Sequence, residues 1–307
     1  MLTATATATA FAGPTLARLL FDISRQPCQE VYIDVDCATA TGKSREQLLE
    51  EARLRYFVNV KHHYNIALAG ASGQGKSSLI NGFRRVKNND IRDPELDDEG
   101  NCFGAAKVGA MAETTTEVKR YDFEENPFWA LKLWDTPGGG TVNAGRDNFF
   151  ENQQLYAFDA VVVVTAGRFT QLDLEIVRDA LKWKKAVALV RTKADLDLDN
   201  LAEEAEIDVE DVDKEAYRRQ VTTDIHANME QLGMAELQSV PIFFVSSVVL
   251  RGGTPKKPAA IYEMDEQKLA FDVLHGIVQQ RCLWSPTAPG NDASAREESN
   301  RSGSAVP

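Results

Sequence analysis

Hydrophobic and polar residues alternate with two different periods along most of this 307-residue chain. Short apolar runs predict strands, and an apolar residue at every third or fourth position predicts a helix. Strands are expected at 64–69, 117–124, 129–134, 159–165, 186–191 and 241–246, and helices at 76–85, 147–157, 172–184, 214–232 and 265–281. Three strands are apolar without alternation, which is typical of a parallel sheet covered on both faces. The pattern predicts an α/β fold with right-handed crossovers.

A further helix is expected over 44–62, before the first strand. Ser44 and Gln47 have the spacing of a capping box. The apolar stripe of this helix consists of Leu48, Ala52, Tyr56 and Val60. We expect the stripe to lie against the flank of the main domain or to face a partner. The domains predicted are a poorly patterned segment at 1–43, a lead-in helix at 44–63, the main domain at 64–283 and a disordered tail at 284–307.

Composition excludes several classes of function. The 46 acidic and 34 basic residues give a formal charge of −12, which argues against a nucleic-acid-binding surface. The four cysteines and four histidines are scattered, so we expect neither a disulfide framework nor a metal site of protein ligands alone. No apolar run approaches the roughly 20 residues that span a bilayer, and no secretory or lipidation signal is encoded. A cytoplasmic protein is expected, and the densely acidic residues 195–215 are interpreted as a solvated loop rather than an acidic binding tail.

The most informative motif is a phosphate loop between the first strand and the helix after it. Residues 70–77 read Gly-Ala-Ser-Gly-Gln-Gly-Lys-Ser, a complete G-x-x-x-x-G-K-[ST] pattern, in which Lys76 can reach the β- and γ-phosphates and Ser77 can ligate Mg²⁺. The alternative, a glycine-rich turn with an unrelated lysine, leaves the flanking strand and helix unexplained. A second Gly-Lys-Ser at 42–44 lacks the first glycine of the pattern. The phosphate-binding residues expected are Gly70, Ala71, Ser72, Gly73, Gln74, Gly75, Lys76, Ser77 and Ser78.

A second motif, Trp134-Asp135-Thr136-Pro137-Gly138, stands at the end of a predicted strand. Ligands of open α/β sheets bind at the carboxyl ends of the strands. Asp135 is expected to hold Mg²⁺ through water, and the N–H of Gly138 to face the γ-phosphate.

A third motif selects the base. Residues 189–195, Leu-Val-Arg-Thr-Lys-Ala-Asp, end another apolar strand with T-K-x-D. The carboxylate of Asp195 can accept hydrogen bonds from N1–H and N2–H₂ of guanine, whereas adenine offers neither, and such sites reject analogues by roughly 10⁴–10⁵-fold. Lys193 would cover the base and ribose, and Thr192 stands where many GTPases have Asn. Ser246 and Ser247, after the last strand, would present backbone to the guanine O6. In an ATP-using enzyme this motif would have no guanine to recognise, so the motif argues against ATP as the substrate.

With these residues placed, the chain resembles the immunity-related (interferon-inducible) GTPases over about residues 50–283. Besides the second and third motifs, residues 104–109, Glu113-Thr114-Thr115 and residues 241–246 carry the resemblance. It implies a P-loop NTPase fold, a Ras-like G domain with a mostly parallel six-stranded sheet. It also implies dynamin-like, nucleotide-dependent self-association through the nucleotide face, so a homodimer is expected. Association with intracellular membranes follows only by family analogy.

The resemblance further implies catalytic residues. In the family, a glutamate two residues before the Mg²⁺-contacting threonine takes part in hydrolysis, and Glu113 and Thr115 match that spacing. The alignment leaves a choice of one residue, because this chain is one residue longer between Gly109 and Glu113. The catalytic residues expected are Glu113, Lys76, Thr115 and Gly138, and the metal ligands are Ser77, Thr115 and Asp135. Gly139 stands where Ras-like enzymes carry a water-positioning Gln, so we expect slow hydrolysis that a partner or a dimer accelerates.

The function predicted from the sequence is binding of GTP or GDP and Mg²⁺-dependent hydrolysis of GTP to GDP and phosphate. One alternative stays open. The chain would then be a GTP- or GDP-binding interaction module with negligible turnover, read by effectors. Turnover per molecule that rises with protein concentration would separate the two.

Overall fold

The computed structural model describes residues 42–90, 101–108, 117–124, 130–139 and 148–283. Its main strands are β1 (Tyr64–Ala69), β2 (Lys119–Asp122), β3 (Leu131–Asp135), β4 (Ala160–Thr165), β5 (Ala186–Arg191) and β6 (Ile242–Phe244). They form one sheet in the order β2-β3-β1-β4-β5-β6. β2 runs antiparallel to β3, and the other neighbouring pairs are parallel. The mostly parallel six-stranded sheet of a Ras-like G domain is thus confirmed.

Helices cover both faces of this sheet. They are α1 (Arg45–Tyr56), α2 (Lys76–Phe83), α3 (Phe149–Asn152), α4 (Gln171–Lys182), α5 (Ala194–Ala205), α6 (Lys214–Gln231), α7 (Ser247–Leu250), α8 (Ala259–Tyr262) and α9 (Glu266–Leu283). One apolar cluster joins α1, α3, α4 and α6 to one face, and another joins α2 and α9 to the other. β1 and β4 are therefore buried along their whole length. None of the described helices combines the length and the apolar character needed to cross a bilayer.

The helix before the first strand begins with the expected capping box. The Ser44 hydroxyl accepts from the Gln47 N–H at 3.2 Å, and the Gln47 side chain accepts from the Ser44 N–H at 3.0 Å. The helix ends at Tyr56, earlier than predicted, because Phe57 adopts a left-handed conformation with φ 54°. Val60 is buried in the connection that follows.

Helix α1 lies against the flank of the sheet domain. Leu49 and Ala52 are buried there, whereas Leu48 is only partly buried. The ring of Tyr56 stacks on Phe158 with centroids 5.9 Å apart. The buried stripe is thus shifted by one residue from the predicted one at its start.

The interpretation of residues 195–215 as a solvated loop is wrong over their first half. Residues Ala194–Ala205 form α5, with Leu198 and Ala202 buried one turn apart. The carboxylates of its first turn suit the positive end of the helix dipole. Acidic residues lie between the apolar ones, so the apolar period was hidden.

Two further regions differ from the prediction. The helix expected at 147–157 is two pieces, α3 and a 3₁₀ turn at Leu155–Ala157, since Gln154 between them is left-handed with φ 49°. Beyond β6, the pattern missed α7, α8 and a small hairpin of β7 (Gly253–Thr254) and β8 (Lys257–Pro258). Their runs of two to four residues are too short to show a period.

Candidate functional site

The phosphate loop connects β1 to α2 at the carboxyl edge of the parallel strands. Three of its residues, Gly70, Gly73 and Gly75, have positive φ values of 133°, 76° and 94°. A Cβ at position 70 would lie 2.4 Å from the carbonyl oxygen of Val164. Side chains rarely adopt such φ angles, so the glycines shape a loop that turns back under the start of α2.

Lys76, the first residue of α2, folds back over this loop. Its buried ammonium donates to the carbonyl oxygens of Gly70 at 3.1 Å and Ala71 at 2.9 Å. A positive charge therefore lies against the loop at the amino end of a helix. This combination suits an anion such as a phosphate group.

Thr192 of the T-K-x-D motif supports the phosphate loop directly. Its hydroxyl donates to the carbonyl oxygen of Gln74 at 2.8 Å. The side chain of Gln74 in turn accepts from the N–H of Ala166 at 2.6 Å, just beyond β4. The residue in the place of the usual asparagine thus links the two halves of the site.

Ser77 and Asp135 bring together, below the loop, two side-chain oxygens that could ligate a metal ion. The Ser77 hydroxyl donates to Asp135 at 2.5 Å between oxygens, and the Asp135 side chain is fully buried. Mg²⁺ prefers hard oxygen ligands and usually combines one or two protein ligands with water and substrate phosphates. The pair fits that donor set. Within the described residues, no group of three His, Cys, Asp or Glu could hold a metal alone.

Gly138 and Gly139 lie directly against the phosphate loop. The N–H of Gly139 donates to the carbonyl oxygen of Gly70 at 3.2 Å. A Cβ at position 138 would come within 2.6 Å of the backbone nitrogen of Ser72, and one at position 139 within 2.2 Å of Leu172. The segment after β3 therefore needs glycine at position 138, where the close contact is with backbone.

The residues predicted to select the base stand at the start of α5. Lys193 is left-handed with φ 62° and precedes the helix, and the Asp195 carboxylate in the first turn is largely buried. Ser246 ends the loop after β6 and caps α7, its hydroxyl accepting from the N–H of Val248 at 3.1 Å. Ala194 N–H donates to the Val245 carbonyl oxygen at 3.2 Å, so the two loops lie side by side.

Two residues that contact the predicted base-binding residues were missed by the sequence reasoning. Lys257 of β8 pairs with Asp195, with 2.7 Å between nitrogen and oxygen. Glu266 is fully buried and accepts from the N–H groups of Ser246 at 2.8 Å and Met264 at 2.7 Å. Burial raises the pKa of Glu266 to about 7, although these backbone donors work in the opposite direction. An acid at the start of a helix looks like ordinary dipole compensation, so the sequence carried no signal for this role.

A third missed residue, Asp173, is buried in the first turn of α4. It completes a capping box with Thr170, because its carboxylate accepts a hydrogen bond from the Thr170 N–H at 2.9 Å. Burial raises the pKa of its carboxyl, while the bonds from Thr170 and the charge of Lys76 lower it. A capping-box pattern alone does not reveal that this acid lies near the phosphate loop.

The catalytic pair suggested by the family resemblance lies outside the described residues. Glu113, Thr114, Thr115 and Thr116 all fall between the described ranges 101–108 and 117–124. Glu113 as a catalytic residue and Thr115 as a metal ligand stay predictions.

Comparison with known proteins identifies the family to which the sequence is similar. A sequence model of the family described as Interferon-inducible GTPase matches residues 57–252. The chain is similar to mouse (Mus musculus) "Interferon-inducible GTPase 1", 30% identical over 183 residues that cover 60% of this chain and 39% of the relative. It is also similar to mouse "Interferon-gamma-inducible GTPase 10", 28% identical over 229 residues that cover 74% of this chain and 48% of the relative.

Solved structures also match at low similarity. One is the G domain of the T. maritima FeoB iron transporter, 17% identical with a TM-score of 0.36, covering 70% of this chain and 99% of that one. The fold assignment rests on the strand order and the family match. The aligned part of this chain spans less than half the length of either mouse relative.

Proposed function

Because the chain belongs to the interferon-inducible GTPase family, we propose that it binds GTP and hydrolyses it to GDP and phosphate, with Mg²⁺ as cofactor. One observation carries the proposal: hydrogen bonds join the phosphate loop to both other motifs. Ser77 bonds to Asp135 at 2.5 Å, and Thr192 bonds to the Gln74 carbonyl oxygen at 2.8 Å. The residues proposed to bind phosphate, metal and base therefore lie at one edge of the sheet.

The phosphates are proposed to lie in the loop of residues 70–78. The loop N–H groups and the amino end of α2 favour an anion, and Lys76 adds a full charge. On binding, its ammonium would exchange the carbonyl oxygens of Gly70 and Ala71 for phosphate oxygens. Mg²⁺ held by Ser77 and Asp135, with Thr115 in the family's arrangement, would neutralise charge on the β- and γ-phosphates.

Guanine is proposed to lie between the T-K-x-D segment and the loop at Ser246 and Ser247. Asp195 would accept from N1–H and N2–H₂, and the aliphatic part of Lys193 would cover the ring. Because Thr192 is bonded to the phosphate loop, this arrangement couples the base to the phosphates. An adenine ring offers Asp195 neither of those donors and would gain none of this binding energy.

Hydrolysis is proposed to be slow in the isolated protein. Water attacks the γ-phosphorus, the bond to the β–γ bridging oxygen breaks, and GDP leaves, so catalysis depends on positioning and charge stabilisation. Gly138 and Gly139 offer no side chain to orient that water. Glu113 is the proposed orienting residue, by family analogy, and a homodimer formed through the nucleotide face would complete the site.

The alternative is a nucleotide-binding interaction module with negligible turnover. Titration calorimetry with GDP, GTP and ATP, together with phosphate release over a hundredfold range of protein concentration, separates the possibilities. We expect guanine nucleotides to bind much more tightly than ATP, and turnover per molecule to rise with concentration. Tight GTP binding with no turnover at any concentration would favour the interaction module, and equal ATP binding would contradict the guanine site.

A further inference from the structure

The carboxylate assigned to guanine recognition already has a cationic partner within the chain. The ammonium of Lys257 lies 2.7 Å from an oxygen of Asp195 and 2.6 Å from an oxygen of Asp199. Asp195 is largely buried, whereas Asp199, one turn later on α5, is about a third exposed. One lysine therefore bridges the candidate base-recognition residue and a second, outer carboxylate.

The hairpin of β7 and β8 holds this lysine in place. The N–H of Lys257 donates to the hydroxyl of Thr254 at 3.0 Å across the turn. Gly253 has φ 78°, and a Cβ there would meet the backbone nitrogen of Ala259 at 2.5 Å. The hairpin thus has a conformation that fixes the backbone of Lys257 above the start of α5.

Further contacts anchor the ammonium on its outer side. It lies 5.3 Å from the centre of the Tyr262 ring, and the Tyr262 hydroxyl donates to the other oxygen of Asp199 at 2.5 Å. Burial lowers the pKa of Lys257, but its bonds to the two carboxylates outweigh this and raise the pKa above that of a free lysine. Lys257 is therefore charged at neutral pH, and it retains Asp199 and Tyr262 if Asp195 is taken by another donor.

We propose that Lys257 sets the affinity of the guanine site, as an internal counter-ion that competes with guanine for Asp195. This rests on the proposed function. Guanine presents two donors, N1–H and N2–H₂, and therefore needs both carboxylate oxygens, one of which Lys257 holds. Guanine must displace the ammonium to use both oxygens, so Lys257 lowers the affinity of the site for guanine nucleotides. Asp199 receives the lysine when guanine binds.

The proposal gives opposite effects for two substitutions. Lys257→Met keeps the aliphatic stem but removes an ion pair that guanine must displace, so affinity for GDP should rise by roughly three- to tenfold. Asp199→Asn removes the acceptor that receives the lysine on binding, so affinity for GDP should fall by a similar factor. Lys256→Met changes the exposed neighbouring lysine and should leave affinity unchanged.

Titration calorimetry with GDP and ADP, in Mg²⁺ buffer, tests this on the full chain. Thermal melting checks that each variant folds. If Lys257→Met does not fold, the proposal is tested by the decrease in GDP affinity expected for Asp199→Asn, and an unchanged affinity in that variant overturns it. Equal or weaker GDP binding by folded Lys257→Met overturns the proposal while leaving the guanine site intact, provided that the unaltered protein prefers GDP to ADP. An unaltered protein without that preference would instead overturn the proposed function itself, and this proposal with it.

Discussion

The hydroxyl of Ser77, in the first turn of α2, donates a hydrogen bond to the carboxylate of Asp135, the last residue of β3, over 2.5 Å. The two residues are 58 positions apart in the chain. They meet because β1 and β3 are parallel neighbours, and the segments after parallel strands emerge at the same edge. The sheet itself therefore brings the two candidate metal ligands together.

Replacing Lys76 tests the phosphate loop. Lys76→Ala removes the ammonium that lies over the loop, and a bond to a charged group contributes roughly 1.5–3 kcal/mol. We expect GDP and GTP affinity to fall by at least tenfold, with an unchanged circular dichroism spectrum. Lys87→Ala, at an exposed position beyond α2, is the matched control. Undiminished affinity in folded Lys76→Ala would show that the phosphates bind elsewhere.

The two adjacent glycines after β3 should respond differently to alanine. A Cβ at Gly138 meets the backbone of Ser72, whereas one at Gly139 meets the end of the Leu172 side chain, which can turn away. Gly138→Ala should therefore weaken nucleotide binding and lower stability by about 1–3 kcal/mol, and Gly139→Ala should cost less. Calorimetric titration and urea unfolding of both variants measure this. A larger loss for Gly139→Ala would contradict the close approach described for Gly138.

Stability should depend on pH through Glu266. Burial raises its pKa to about 7, above the value of about 4.3 for an exposed glutamate, so protonation favours the folded state. The stabilisation is present at low pH and is lost as pH rises through about 7. Between pH 5.5 and 8.5 the loss amounts to about 2 kcal/mol, at 1.36 kcal/mol per pKa unit.

Urea unfolding at these two pH values, for the unaltered protein and for Glu266→Gln, isolates this contribution. The neutral amide should remove most of the 2 kcal/mol difference. Glu236→Gln, at an exposed position, should not. If Glu266→Gln shows the same fall in stability between the two pH values as the unaltered protein, another group titrates.

Helix α1 should contribute to stability but not to nucleotide recognition. Leu49 is 5% exposed and Leu54, on the same helix, is 68% exposed. Leu49→Ala should lower the free energy of unfolding by about 2–4 kcal/mol, whereas Leu54→Ala should change it by less than about 0.5 kcal/mol. GDP affinity should stay the same in both folded variants. Similar unfolding curves for the two variants would mean that the contact between α1 and the flank of the sheet does not stabilise the fold.

Much of the fold was predictable because local patterns determine it. The strands beside the phosphate loop were found from continuous apolar runs, and the positive φ angles of Gly70, Gly73 and Gly75 match the requirement for glycine in the motif. Helix α5 was missed because acidic residues are interspersed with Ala194, Leu198 and Ala202, the apolar residues of its buried side.

The missed site residues have a different cause. Lys257 and Glu266 acquire their roles through contacts made across 62 and 20 residues of chain, and neither belongs to a pattern of spacing. Lys257 stands in a short turn-rich segment, and Glu266 opens a helix as many acids do. Tertiary packing, which sequence periodicity does not report, decides what these two side chains touch.

Nucleotide selectivity of Asp195→Asn tests the guanine site most directly. The amide cannot accept from both N1–H and N2–H₂ of guanine, but it can donate to the 2-oxo group of xanthine. Competition titrations with GTP, XTP and ATP should show GTP affinity reduced by roughly a hundredfold or more and XTP preferred over GTP, with ATP weak throughout. If GTP still binds as it does to the unaltered protein and XTP binding does not improve, Asp195 does not read the base and the account of this site is wrong.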